Sequence, residues 1–270
     1  MALNRIYKVV WSKTKGCYIV VSELAKRVGR NKAKAIVISS AAMAMAVSPV
    51  MVNTVGAAVN DAGTGGDTSV AWAKTSNASG TNAVAVGAES KATQSNAVAV
   101  GRKTESTGDS AIAVGLSAKA SGNLSEAIGV ETVSSGVRSI AIGYKGKAEG
   151  EEAVAIGKEA TASKASSLAL GQGAQATGDR ATAIGQSSKA TQADTIALGT
   201  NSKSTNTYTV AFGRNTEAAG QRSMAFGNEA KATANDTIAI GSSSEAKKDN
   251  DIIIGKEAKS RDEGGGHSIA

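Results

Sequence analysis

One histidine, His267, and one cysteine, Cys17, are all that the 270-residue chain offers for imidazole or thiol chemistry. A Ser/His/Asp or Cys/His set must converge on one site. Here the histidine stands near the C-terminus, in a frayed last repeat, and the cysteine near the N-terminus. Asp67, Asp109, Asp179 and Asp236 sit beside Gly, Ser or Thr and read as turn formers. Neither EF-hand nor nonapeptide calcium spacing surrounds them. The expectation is a protein without catalytic residues, cofactor or metal, whose chemistry is that of a surface.

Charge and composition narrow what that surface meets. The chain carries a net +7, but residues 1–46 hold nine Lys/Arg and one Glu, and the remainder is close to neutral. A nucleic-acid partner is therefore not implied, since no basic surface remains outside the N-terminal segment. Aromatics are 3% of residues and there is one proline, which is poor material for an ordinary globular core. At 41% hydrophobic residues, a repetitive fold of small side chains fits better than disorder. The lack of cysteine beyond Cys17 suits a chain that crosses an oxidising compartment unfolded.

The elements that would present such a surface are set by a repeat. Glycine recurs every 14 residues at Gly87, Gly101, Gly115, Gly129, Gly143, Gly157, Gly171, Gly185, Gly199, Gly213, Gly227, Gly241 and Gly255. The residue before it is apolar in all thirteen copies, and the residue three before it in eleven, Glu126 and Thr182 excepted. Apolar positions two apart predict a short strand. A second, shorter strand is predicted around the small residue five places after the glycine (Ala92, Ser106, Ala120, Ala148). Gly80, Gly108, Gly122, Gly136, Gly150, Gly178 and Gly220 mark the turn between them, at a position suited to φ > 0. The fold class is all-β, a parallel β-roll solenoid of about 13 coils in which each strand bonds its copy in the next coil.

Strand alternation gives each coil two faces. Bulk assigns the Val/Ile rows to the coil interior and turns the intervening alanines outward. These are Ala85, Ala99, Ala113, Ala127, Ala141, Ala155, Ala169, Ala183, Ala197, Ala211, Ala225 and Ala239. A flat apolar row should not face water, so these alanines are the expected interface between parallel copies of the chain. On that assignment Ala141→Glu separates the copies and Ile156→Asp unfolds the coil.

The N-terminus reads as a secretion signal. Basic residues Lys26, Arg27, Arg30, Lys32 and Lys34 precede an apolar stretch over 33–47, and Ala44-Met45-Ala46 forms a small-x-small cleavage site. The apolar run is shorter than the roughly 20 residues a spanning helix needs. Some 25 further residues come first, including Asn4-Arg5-Ile6-Tyr7-Lys8-Val9-Val10-Trp11-Ser12 and Gly16-Cys17-Tyr18-Ile19-Val20-Val21-Ser22. They resemble the extended signal region of large autotransporters and two-partner secretion proteins; the alternative is a small N-terminal strand pair. The division expected is 1–46 extended signal peptide, 47–69 linker or cap, and 70–270 repeat domain.

The repeat, with Asn82-Ala83-Val84-Ala85-Val86-Gly87 and Arg138-Ser139-Ile140-Ala141-Ile142-Gly143 as examples, resembles the YadA-type head repeat of trimeric autotransporter adhesins. That resemblance implies a left-handed roll, a homotrimer, display on the surface of a Gram-negative-type bacterium, and host extracellular-matrix or cell-surface ligands. Some relatives bind collagen through an Asn-Ser-Val-Ala-Ile-Gly face. Here Asn opens the motif only at Asn82 and Asn96, with Ser110, Arg138, Glu152 and Asp194 elsewhere, so Asn82, Asn96 and Arg138 are the binding candidates. The family's neck, stalk and anchor are not found, which reads as a truncated, non-anchored head fragment; membrane contact would need an anchor absent from this chain. An ice-binding solenoid is the competing binding class, disfavoured by the irregular threonines Thr104, Thr132 and Thr216. A hexapeptide-type enzyme is disfavoured because 14 is not a multiple of six.

Overall fold

The computed structural model describes residues 7–12, 17–22, 68–73 and 75–260. They belong to two compact units, Met1–Pro49 and Val50–Ala270. In the first, β1 (Tyr7–Ser12) and β2 (Cys17–Ser22) pair antiparallel, with Tyr7 opposite Ser22 and Ser12 opposite Cys17. The strand pair weighed as the alternative reading is therefore present. The apolar stretch 33–47, the cleavage motif and His267 lie outside the described residues.

The second unit is a stack of flat coils. Each contributes a strand, usually of three residues, ending just before the marker glycine, and a two-residue strand four residues after that glycine. Copies of the first form a 14-stranded parallel sheet and copies of the second a 13-stranded parallel sheet. Register advances by one repeat per coil: Ala141 stands opposite Ala155, Ile142 opposite Ile156, and Lys147 opposite Thr161. The Val84 N–H donates to the Ala97 carbonyl at 2.8 Å, and the Gly101 N–H to the Val86 carbonyl at 2.7 Å. At about 4.8 Å per strand, thirteen coils extend roughly 60 Å.

The marker glycines are fixed by two conditions at once. Their φ lies between 125° and 139°, which L side chains rarely adopt. A Cβ on Gly129 would also lie 1.8 Å from the carbonyl oxygen of Gly143 in the next coil. The other turn differs from expectation. Its left-handed residue is not the glycine but the residue two places later, such as Asn82 (φ 55°), Leu124 (58°), Arg138 (56°) and Tyr208 (59°). The turn closes by an N–H from Ala83 to the Gly80 carbonyl at 3.2 Å, which makes the left-handed residue its third. Stacking sustains this conformation even in Leu and Tyr. The Asn96 N–H, for example, donates to the Thr81 carbonyl of the preceding coil at 2.8 Å.

The two faces of the longer strand are reversed from the sequence expectation. Ala85, Ala99, Ala113, Ala127, Ala141, Ala155, Ala169, Ala183, Ala197, Ala211, Ala225 and Ala239 are all fully buried inside the single chain and cannot form an interface between copies. The large aliphatics point outward: Ile156 is 39% exposed, Phe212 52% and Ile254 54%. The physical reason is the thinness of the coil. Four side chains per coil turn inward, for example Ala153, Ala155, Ala160 and Ala162, and at these four positions almost every coil places Ala, Ser or Thr. Small residues from both sheets let the two strands approach closely; the one large aliphatic in these rows among the described residues, Ile253, lies in the last strand, Ile252–Ile254.

Many of the serines and threonines in that interior satisfy a turn carbonyl, as buried hydroxyls usually find a partner, although the hydroxyls of Ser125, Thr132 and Ser223 do not. Ser139 Oγ donates to the Gly136 carbonyl at 2.7 Å and Thr237 Oγ1 to that of Ala234 at 2.7 Å. At the other turn, Ser90 Oγ donates to the Gly87 carbonyl at 2.8 Å and Thr104 Oγ1 to that of Gly101 at 3.0 Å.

Candidate interaction surface

Three surfaces follow from this stacking. The outer side of the 14-stranded sheet carries two rows of large aliphatics. The row just before the marker glycine is apolar throughout, from Val86 to Ile254, and includes Phe212 stacked on Phe226 with ring centroids 5.9 Å apart. The other row is interrupted by Glu126 and Thr182. An exposed apolar strip running the length of the rod marks an interaction site.

The left-handed turn residues form a second surface, a column with one side chain per coil. Asn82 and Asn96 are neighbours in it, with Asn82 Nδ2 donating to Asn96 Oδ1 at 3.3 Å; Thr68 Oγ1 is bonded to Asn82 Oδ1. Arg138 stands in the same column three coils beyond Asn96. Its guanidinium is held by Glu152 and Glu151, each at 2.8 Å from Nη2. The three candidates therefore share an edge but do not converge. The Arg-acid arrangement recurs every three coils: Arg180 grips Asp194 at 2.6 and 2.7 Å, and Arg222 grips Asp236 at the same distances. Such bidentate pairs are geometrically specific.

These pairs set an acid limit. The Arg180 hydrogen bond holds the Asp194 carboxyl below its ordinary value, and Arg222 does the same for Asp236. A depressed carboxylate pKa stabilises the fold above the unfolded value, about 3.9, and that contribution disappears as pH falls through the lower folded value. R180Q/R222Q is therefore expected to lower thermal stability at pH 7, with the difference from the unaltered protein shrinking as pH falls below the ordinary carboxylate value of about 3.9. Melting curves across that range check it; a difference that persists at the acid end would mean the arginines act otherwise.

The third surface is the outer side of the 13-stranded sheet, where Lys and Glu alternate. Glu105 takes Lys91 at 3.1 Å and Lys119 at 3.3 Å, and its pKa is lowered chiefly by the Lys91 hydrogen bond. Depressions run along this face, and across the middle coils, where the alternation stops, one of about 580 Å³ is lined by Gly173, Gln175, Ser187, Lys189, Asn201, Lys203, Asn215, Thr216 and Glu217. The sequence reading missed this groove, although writing the repeats in register shows Lys189 directly above Lys203. Among the described residues no cluster of His, Cys, Asp and Glu could hold a metal ion. Thr104, Thr132 and Thr216 are buried, so they offer no outward threonine array for ordering ice.

Two family models match the chain. Residues 4–51 match the family model described as Extended Signal Peptide of Type V secretion system. The YadA head domain repeat matches residues 78–104, 106–123, 127–145, 148–174, 176–202, 190–216 and 218–244, together more than half of the chain. No curated protein matches. A solved structure, the collagen-binding domain of the Yersinia adhesin YadA, is similar at 21% identity over 72% of this chain and 67% of that one, with a TM-score of 0.23.

Proposed function

The chain belongs to the YadA-like trimeric autotransporter adhesins, and from that premise we propose that it is an adhesive head that works as a homotrimer on the bacterial surface. The observation that carries the reading is the aliphatic side of the 14-stranded sheet. Thirteen consecutive apolar residues, one per coil, stand exposed or half-buried in the single chain. Water is a poor neighbour for them. Covering a half-exposed aliphatic contributes on the order of 1 kcal/mol, and the gain accumulates along the rod.

Identical copies in parallel offer the matching strip, and the family supplies the number three. With that side covered, the turn columns and the 13-stranded sheet remain for host extracellular-matrix or cell-surface ligands, Asn82, Asn96 and Arg138 among them. The N-terminal segment 1–46 acts as the leader for inner-membrane passage, 47–69 connects, and 70–270 is the head. Beads coated with the purified protein are expected to be retained on matrix-coated or host-cell surfaces. Retention no greater than for uncoated beads on every surface tried would contradict the adhesive role.

A further inference from the structure

The lysine pair in the middle of the 13-stranded sheet conflicts with its own strand register. Lys189 stands directly opposite Lys203 in adjacent parallel strands, about 4.8 Å apart. It is the one pairing among the described strands that sets two like charges face to face, an arrangement that destabilises a sheet. Elsewhere on this side the conflict is avoided: Lys91 and Lys119 share Glu105, Lys145 reaches Glu131 at 3.6 Å, and Lys103 reaches Glu89 at 3.9 Å. No ion pair is formed by Lys189 or Lys203.

The surroundings turn a repulsive pair into a receptor. In the column beside the lysines, where other coils place Glu89, Glu131, Glu159 or Glu229, these coils place Gly173, Ser187, Asn201 and Asn215. Gly173, with φ 65° and no side chain, opens one end of the groove. Asn201 Nδ2 donates to Asn215 Oδ1 at 3.2 Å, which leaves the Asn201 carbonyl and the Asn215 amide directed to other partners. Two ammonium groups, a serine hydroxyl and three side-chain amides, counting Gln175, thus line an open trough along the rod axis. Glu217 lines the far end and stands opposite Lys203 in the next strand.

We infer that this groove binds a sulfated linear polysaccharide, with its sulfates on Lys189 and Lys203 and its hydroxyls on Gln175, Ser187, Asn201 and Asn215. The polymer is linear because the trough continues from coil to coil, each advancing about 4.8 Å, close to the length of one pyranose ring. Its charge is anionic because Lys189 has only Gln175 on its other side and Lys203 shares Glu217 with Lys231, so the stacked ammonium groups retain an excess of positive charge that an anion offsets. The hydroxyl and amide lining matches sugar better than peptide. The near-neutral balance of residues 47–270 provides no diffuse attraction, so the two lysines carry the electrostatics. The inference rests on the reading of the chain as a surface binder whose 13-stranded sheet stays open.

The test is calorimetric titration of the full chain with a size-fractionated heparin oligosaccharide. K189Q/K203Q is expected to weaken binding at least tenfold and to flatten its salt dependence, because two counterion-releasing contacts are lost. K147Q, a solitary lysine on the same sheet, and K147Q/K164Q, a charge-matched loss outside the groove, are expected to change binding less than twofold. Equal affinity for K189Q/K203Q and the unaltered chain would overturn the inference. So would an equal loss in K147Q/K164Q, or lysine-dependent binding to phosphatidylglycerol vesicles in place of heparin. Mass in solution separates this from the wider reading. A trimer that ignores heparin sinks the groove alone, whereas a protein that never assembles sinks the adhesin head first.

Discussion

Ala155→Glu should abolish the fold of the neighbouring coils. Ala155 is fully buried, with Ala141 and Ala169 opposite it in the adjacent strands and Ala160 and Ala162 among the inward residues of its coil. A glutamate there has neither room nor a partner. Accommodating it means forcing apart two sheets that touch through methyl groups and hydroxyls, or burying an unpaired charge. Either costs several kcal/mol. In a solenoid each coil is stabilised by its neighbours, so damage in the middle spreads both ways. At roughly 2–4 °C per kcal/mol for a domain of this size, the melting temperature should fall by about 10 °C or more, with loss of β signal in circular dichroism. A stable, β-rich A155E protein would mean that the alanines face outward after all.

The adjacent residue should behave in the opposite way. I142D/I156D places carboxylates on the exposed row, where each is solvated in the isolated chain and its coil loses no interior packing. Ile142 and Ile156 stand opposite each other in neighbouring strands, so the two charges lie side by side on the strip that parallel copies would share. Burying them against another subunit costs several kcal/mol per ion, more than the strip gains locally from aliphatic contact. The expected result is a β-rich protein that no longer assembles. Its melting temperature should be independent of concentration, whereas that of the unaltered protein rises with concentration, as assembly linkage requires. Loss of β signal in I142D/I156D would contradict this and return the aliphatics to the interior.

The contrast between these neighbours marks what could be read from the sequence. The marker glycines announce the coil, since an unbroken interval of 14 from Gly87 to Gly255 is the register later seen in the Ala141–Ala155 and Ile142–Ile156 pairs. Alternation places the strands. It cannot say which face is interior when both are apolar, and the rule that bulk goes inside then misleads. That rule compares a core with water, whereas here the second face is read as meeting other chains. A correct signal was present: the residues four and two before every glycine but Gly255, and three and five after it, are small together. Four small columns describe a thin interior more consistently than two large ones facing two small ones.

The turn conformations were less legible. Leu124, Arg138 and Tyr208 adopt a left-handed backbone that their side chains disfavour, and only the bonding of stacked coils imposes it. Arg138 is legible in the sequence only as the residue that opens one copy of the motif. Its engagement by Glu151 and Glu152 depends on neighbours 13 and 14 residues away, which become visible only once the coil is wound. The same holds for Lys189 and Lys203, unremarkable as separate lysines and conspicuous as a stacked pair.

The central claim is that small residues fill each coil while the large aliphatics meet sister chains. Molar mass by light scattering, read for the unaltered protein beside I142D/I156D, tests it most directly. The account predicts three times the 26.9 kDa chain mass for the first, less any leader removed, and a single chain mass for the second. A single-chain mass for the unaltered protein, or an undiminished trimer in the variant, would contradict it.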